Sequence, residues 1–133
     1  MTRLALALLL AAAPAAAQEP CPFAGQRPML VVELFFGQTI RGRGLVSTRS
    51  WQRFLAETVT PALPDGFTVY NAYGQWRDGR TGAIGREGTK VVVVAAEDTA
   101  ELRARVAGVA EAYRRRFDQR SVGVLTQRGC GAF

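Results

Sequence analysis

The chain has 133 residues, a formal net charge of +6 and 2 cysteines, and it contains no histidine. Without histidine, a Ser-His-Asp triad, a histidine-ligated zinc site and a histidine-ligated haem are excluded. No Walker or dinucleotide-binding glycine motif is present, so we expect neither a metal ion nor a cofactor.

Residues 1–17 have the pattern of a secretory signal peptide. Arg3 precedes an apolar run that is too short to span a bilayer and that ends on three alanines, so we predict cleavage after Ala17. Cys21 follows Gln-Glu-Pro, which does not fit the cleavage box of a lipoprotein. We therefore expect a periplasmic or secreted protein with no membrane anchor, whose charge falls from +6 to +5 because only Arg3 is removed.

After the signal peptide, the sequence predicts an irregular lead-in at 18–28 and one α+β domain at 29–133. β-branched and aromatic runs predict strands, and apolar residues at helical spacing after a capping residue predict helices. In chain order these are a strand at 29–36, a helix capped by Ser47 or Thr48 and stopped by Pro61 and Pro64, strands at 67–77 and 84–96, a helix capped by Asp98 or Thr99, and a strand at 121–128.

The order βαββαβ is typical of the ferredoxin-like fold. We predict an antiparallel sheet with the strand order 4-1-3-2 and with both helices on one face. Strands one and three are expected to be parallel neighbours, because crossovers of this kind are right-handed. That direction places Arg41 and Arg43, after strand one, a sheet length away from Arg77 at the turn after strand two.

The two cysteines are predicted to form a disulfide. Strand one begins just after Cys21, and strand four ends just before Cys130. Because strands one and four are expected to be antiparallel neighbours, the cysteines lie at the same edge of the sheet, within reach of each other. Exported proteins with two cysteines commonly bond them together.

Polar and aromatic side chains concentrate on and around the predicted hairpin of strands two and three. The candidate binding residues are Glu33, Tyr73, Gln75, Trp76, Arg77, Glu87 and Lys90. A carboxylate and a lysine on adjacent strands can act as base and electrophile on a small carbonyl or phenolic substrate, which makes Glu33 and Lys90 the candidate catalytic pair, with Arg77 and Glu87 completing the acid–base set. The alternative is that Glu33 and Lys90 form a structural ion pair.

The sheet face away from the helices is predicted to be covered. A sheet with one wet face alternates apolar and polar residues, whereas strand one is apolar on both faces except at Glu33, and 91–94 is a run of four valines. The simplest cover is a second copy packed sheet to sheet, which forms a dimeric α+β barrel. A ligand or the lead-in is the alternative cover.

Five short motifs follow one another with a characteristic order and spacing over about residues 30–130: Glu33-Leu34-Phe35-Phe36-Gly37, Trp51, Val59-Thr60-Pro61, Gly74-Gln75-Trp76 and Arg86-Glu87-Gly88-Thr89-Lys90. Together they resemble a family of bacterial exported proteins, DUF3574, whose function is unknown. The resemblance implies an exported protein and brings no activity with it.

Three classes of function remain open. A non-catalytic small-molecule-binding or interaction module is favoured, because no catalytic signature is complete. A small-molecule enzyme of the dimeric α+β barrel type, using Glu33 and Lys90, is the alternative. Nucleic-acid binding needs a basic and aromatic strand face, and the export signal argues against it.

Overall fold

The computed structural model describes residues 21–133, so the predicted signal peptide and residues 18–20 lie outside the described residues. The elements occur in the predicted order with somewhat shifted ends. They are β1 (Arg27–Gly37), β2 (Thr39–Ile40), β3 (Gly44–Leu45), α1 (Thr48–Phe54), a π-helical turn (Leu55–Val59), α2 (Thr60–Ala62), β4 (Thr68–Arg77), β5 (Ile84–Ala96), α3 (Ala100–Arg116) and β6 (Gly123–Gly131).

The four long strands form one sheet in the order β4-β5-β1-β6, and every neighbouring pair is antiparallel. The predicted combination of helices with an antiparallel sheet is confirmed. The expectation that β1 and β5 are parallel is wrong. The crossover through α1 and α2 makes β1 and β4 run in the same direction, and β5 returns between them in the opposite direction.

The loop after β1 and the turn between β4 and β5 lie at the same end of the sheet. Arg43 contacts Asp118 in the α3–β6 connection at 3.3 Å, and Arg120 of that connection contacts Asp78 in the β4–β5 turn at 3.1 Å. The predicted separation of the Arg43 loop from Arg77 by the length of the sheet is therefore wrong. Its cause is the same error in the direction of β5.

One face of the sheet carries the hydrophobic core. Leu30, Val32, Leu34 and Phe36 alternate along β1 and are buried beneath the helices together with Val92 of β5. The face on which the helices lie is therefore the core face of the sheet. Fully burying an aliphatic side chain of this size contributes about 1.5–3 kcal/mol to the free energy of unfolding.

An aromatic cluster packs β1 against α1 and α3. Its members are Phe36, Trp51, Phe54, Tyr113 and Phe117, and the ring centroids of contacting pairs lie 4.7–6.0 Å apart. Most pairs are tilted or edge-on, the arrangement that the aromatic quadrupole favours. The cluster fixes α1 and the end of α3 over the end of β1.

Two polar side chains in this core satisfy each other and the backbone. The hydroxyl of Tyr113 donates to the carbonyl of Gly37 at 2.8 Å, and the amide of Gln38 donates to the Tyr113 oxygen at 3.0 Å and to the carbonyl of Phe36 at 2.9 Å. Burial raises the pKa of Tyr113 well above its usual range, so the phenol stays protonated and remains a donor. The network therefore has a structural role.

Each long helix begins at one of the predicted capping residues. The Ser47 hydroxyl accepts from the backbone N–H of Ser50 at 3.1 Å, and the Thr99 hydroxyl accepts from the N–H of Leu102 at 3.0 Å. Asp98, the alternative cap, pairs instead with Arg103 at 2.7 Å, and this hydrogen bond lowers the pKa of Asp98. Capping hydroxyls of this kind stabilise a helix by about 0.5–2 kcal/mol.

The predicted disulfide between Cys21 and Cys130 is present, with the two Cα atoms 5.6 Å apart. Cys130 pairs in register with Pro28, so the bridge ties the lead-in to the end of the edge strand β6. Disulfides persist in oxidising compartments, which agrees with an extracytoplasmic environment. Within residues 21–133, no helix has the length and hydropathy that a membrane span requires.

Candidate functional site

The strand register divides the candidate residues between the two faces of the sheet. Because cross-strand partners share a face, the pairs Glu33↔Val93 and Gly74↔Glu87 define the helix-free side, and the pair Phe36↔Lys90 defines the helix side. The helix-free side carries Glu33, Trp76 and Glu87; the helix side carries Tyr73, Gln75, Arg77 and Lys90.

Glu33 and Lys90 are therefore not a pair of any kind. Lys90 is opposite Phe36 on β1, and its ammonium donates to the side-chain oxygen of Asn71 on β4. Glu33 lies on the other face, opposite Val93. Both the catalytic pair and the alternative ion pair that the sequence suggested are wrong, because residues an odd number of positions apart in register point to opposite sides.

Tyr70, which the sequence motifs did not indicate as a site residue, is the residue that contacts Glu33. The hydroxyl of Tyr70 on β4 reaches over β5 and donates to Glu33 Oε1 at 3.4 Å. Burial and the neighbouring Glu33 carboxylate raise the pKa of Tyr70. The signal available in the sequence was the alternation of β4, which puts Tyr70 on the face opposite to Tyr73.

Apolar side chains surround Glu33 at the middle of the helix-free side. We call this surface the open face; it is formed by Val31, Glu33, Phe35, Tyr70, Val93 and Leu125. Leu125 is 54% exposed and Tyr70 is 43% exposed, whereas Glu33 is half-buried. A half-buried carboxylate on an apolar sheet surface accepts hydrogen bonds strongly, because water competes for it less than at an open site.

The outer part of the β4–β5 hairpin displays cations and Tyr73 on the helix side. Tyr73 is 70% exposed, Arg86 donates to the Gln75 amide oxygen at 2.9 Å, and Arg77 donates to the carbonyl of Gly82 at 3.1 Å. The two arginines are therefore hydrogen-bonded to neutral oxygens. Tyr73, Arg77 and Arg86 lie on the helix side of the sheet, so none of them can contribute to a site at Glu33 on the other side.

Trp76 and Glu87 are fixed by close approaches to glycine. A Cβ added at Gly85 would lie 2.7 Å from the Trp76 ring, so the indole lies directly over that glycine. The Glu87 carboxylate covers Gly37 and accepts from the backbone N–H of Thr39 at 3.0 Å. Glu87 therefore anchors the loop after β1, which is a structural role.

Replacing Gly37 with alanine is expected to lower the free energy of unfolding by about 1–2 kcal/mol. The new Cβ would lie 2.7 Å from Glu87 Oε1, so the carboxylate must leave the N–H of Thr39. Urea denaturation followed by circular dichroism measures the change. Gly88→Ala on the adjacent strand is the control, because a Cβ there meets nothing within 4 Å and stability should change little.

Two grooves of the described residues lie elsewhere, between α3 and β6 on the helix side. One, of about 220 Å³, is lined by apolar side chains that include Leu102, Val106 and Val124. The other, of about 420 Å³, has Asp98, Arg103 and Arg128 at its rim. Asp98 already pairs with both arginines, with Arg103 at 2.7 Å and with Arg128 at 3.4 Å.

No metal site accompanies either surface in the part of the chain that the structure describes. Within residues 21–133, no group of three or more cysteine, aspartate or glutamate residues is placed to hold a metal ion. The chemistry available at the open face is that of a carboxylate, a phenol and apolar contacts.

The sequence matches the family described as "Protein of unknown function (DUF3574)" over residues 31–133. The chain belongs to this family. The resemblance found in the sequence motifs is thus confirmed, and it carries no assigned reaction to this DUF3574 protein. A search of curated proteins gave no significant match.

Two solved structures are similar in fold to this DUF3574 protein. A phage SAM lyase in complex with S-methyl-5′-thioadenosine matches with a TM-score of 0.62 at 13% identity, over 89% of this chain and 97% of the lyase chain. The apo state of a phage SAM lyase matches with a TM-score of 0.57 at 14% identity, over 74% and 79% of the two chains. Similarity at this level of identity is similarity of fold alone.

Proposed function

We propose that this DUF3574 protein is an exported small-molecule-binding protein, periplasmic or secreted, whose ligand binds on the open face. The observation that carries the proposal is the position of Glu33. Its carboxylate lies half-buried in the middle of an apolar sheet surface, and among the described residues only the Tyr70 hydroxyl hydrogen-bonds to it, at 3.4 Å. A ligand that supplies a better donor would satisfy this acceptor.

The chemistry of the open face defines a class of ligand. Glu33 selects an amino group, a hydroxyl or a cation, while Phe35, Val93 and Leu125 favour an apolar or planar body. S-methyl-5′-thioadenosine, bound by the phage lyase of similar fold, has a planar base with an amino group and therefore belongs to this class. It is a suitable first probe.

The ferredoxin-like assignment, with the strand order 4-1-3-2, is part of the same proposal. It is supported by the observed order β4-β5-β1-β6 and by the crossover of each helical segment on the same face of the sheet. Ferredoxin-like sheets leave one face free of helices, and that face is where we place the ligand.

An enzyme acting at the same face is the second candidate, and the likeness in fold to a phage SAM lyase favours it. Lys90 has no part in it, because it lies on the other side of the sheet. Glu33 is the available general base, and the Tyr70 hydroxyl orients its carboxylate. Incubation with SAM, followed by chromatography of the nucleoside products, separates this candidate from simple binding.

Glu33→Gln is expected to weaken ligand binding about tenfold to a hundredfold, because a hydrogen bond to a charged group contributes about 1.5–3 kcal/mol. Protein purified under native conditions is first examined by mass spectrometry for retained small molecules. Calorimetric titration then compares wild type and variant with the retained compound and with S-methyl-5′-thioadenosine.

Lys90→Gln is the matched control, since Lys90 was an equal candidate from sequence but lies on the helix side. It should leave binding unchanged. Loss of binding in Lys90→Gln with normal binding in Glu33→Gln would place the ligand on the wrong face for the proposal. A wild-type protein that retains and binds none of these compounds would also contradict it.

A further inference from the structure

The middle of the open face exposes more contiguous apolar surface than soluble monomers usually do. Val31, Phe35, Val93 and Leu125 surround Glu33 at the middle of the face. Four strands about 4.8 Å apart, over the paired length of β1, give a whole face of roughly 19 by 25 Å, or roughly 500 Å². Polar residues occupy its outer parts, namely Thr68, Thr89 and Gln127. An apolar centre with a polar rim is typical of an interaction site.

The described lead-in does not cover this face. The bridge from Cys21 leads to Cys130, which pairs with Pro28 and lies on the helix side of the register. Phe23, the large apolar residue of the lead-in, is 71% exposed. On the open face, Met29 and Val91 are buried within the monomer, whereas Leu125 remains 54% exposed. Another layer is needed to cover the sheet.

A small molecule alone cannot supply that layer. Ligand sites bury most of the ligand surface between walls, but the open face is one wall, and the two grooves between α3 and β6 lie on the helix side. The proposed binding site is therefore incomplete in one copy of the chain.

We propose that a second copy of the chain packs its open face against the first, so that the ligand is enclosed between two sheets. This inference rests on the proposed binding function for its ligand, and it can be tested without one. Glu33 and Tyr70 lie near the middle of the face, so each copy contributes its carboxylate and phenol to one shared site.

Area and charge both fit a second copy. Two open faces of roughly 500 Å² bury roughly 1,000 Å² in total, the lower limit for a specific interface, so we expect a reversible dimer. Arg27 and Glu87 lie on this side at opposite ends of β1. Antiparallel packing of the two sheets thus places the basic end of one copy over the acidic end of the other, while the cations Arg77 and Lys90 stay on the outer side.

The middle of such a dimer explains why a ligand would be needed there. Two Glu33 carboxylates brought toward each other repel, and a donor-bearing or cationic ligand between them removes the repulsion. Ligand binding is therefore expected to tighten the dimer. Without ligand, Glu33→Gln is expected to dimerise at least as tightly as wild type, although it binds the ligand more weakly.

Leu125→Arg and Val124→Arg give a matched test. The two residues are adjacent on β6, are 54% and 48% exposed, and point to opposite faces of the sheet. Sedimentation equilibrium over a micromolar concentration range measures dimerisation of each. We expect wild type and Val124→Arg to dimerise, and Leu125→Arg to weaken the dimer at least about tenfold, because the charge enters the apolar interface.

Thr68→Arg, at an exposed position on the open face of β4, repeats the test should Leu125→Arg fail to fold. A wild-type protein that stays monomeric throughout, or a dimer lost in Val124→Arg and kept in both open-face variants, overturns the inference. A monomer that still binds ligand through Glu33 overturns the inference alone. A dimer that depends on Leu125 and binds none of the probes overturns the proposed function alone.

Discussion

Removing the Cys21–Cys130 disulfide is expected to lower the free energy of unfolding by about 4–5 kcal/mol, according to the chain-entropy treatment of a cross-link. The bridge closes a sequence separation of 109 residues, so it restricts almost the whole described chain in the unfolded state. A loss of this size is a large fraction of the roughly 5–15 kcal/mol that stabilises a small domain.

The measurement compares wild type with a Cys21→Ser, Cys130→Ser double variant in urea, with and without reductant. Reductant should destabilise the wild type to the level of the variant and should leave the variant unchanged. A difference below about 1 kcal/mol would mean that the bridge only holds the lead-in to the end of β6, as a local contact that opens without global unfolding.

The disulfide also shows what local sequence patterns can establish. Strand positions, the capping residues Ser47 and Thr99, and the edge at which Cys21 and Cys130 meet were all predicted, because each depends on short-range periodicity or on strand adjacency. The π-helical turn at Leu55–Val59 was not predicted, since no local signature distinguishes it from the α-helix around it.

The candidate site was predicted less well, because its geometry depends on long-range register. Alternation within β5 puts the side chain of Lys90 on the opposite face from those of Thr89 and Val91. Only the pairing of β5 with β1 reveals that Lys90 shares a face with Phe36 rather than with Glu33. The error in the direction of β5 has a different cause. A crossover makes β1 and β4 parallel, and the hairpin that follows reverses the chain, so the predicted order of elements already implies that β5 is antiparallel to β1.

Tyr70 was missed for a related reason. It belongs to a strand that carries Tyr73, Gln75 and Trp76, and those residues drew attention because they surround a glycine-rich turn. The proposed binding surface is instead at the other end of the hairpin, where Tyr70 is opposite Val91 of β5, which in turn pairs with Phe35 of β1. The number of polar and aromatic residues in a segment was a weaker guide than the distance of that segment from Glu33, the half-buried carboxylate at the middle of the open face.

Phe54→Ala is expected to lower the free energy of unfolding by about 3–5 kcal/mol, the range for removing a fully buried phenylalanine. Phe54 is 0% exposed, and its ring centroid lies 5.1 Å from Tyr113, 5.8 Å from Phe36 and 6.0 Å from Phe117. It is the last residue of α1, directly before the π-helical turn.

Phe23→Ala is the control, because Phe23 is 71% exposed and its removal should change stability by less than about 0.5 kcal/mol. The aromatic cluster lies at the Phe36 end of β1 and the disulfide at the Pro28 end, so the two losses should add to within about 0.5 kcal/mol. Together they approach the whole stability of a small domain. The Phe54→Ala protein should therefore show a cooperative urea transition when oxidised and should be unfolded in reductant. A reduced Phe54→Ala protein that stays folded would show that the aromatic cluster or the disulfide contributes much less to stability than the burial of Phe54 or the length of the closed loop implies.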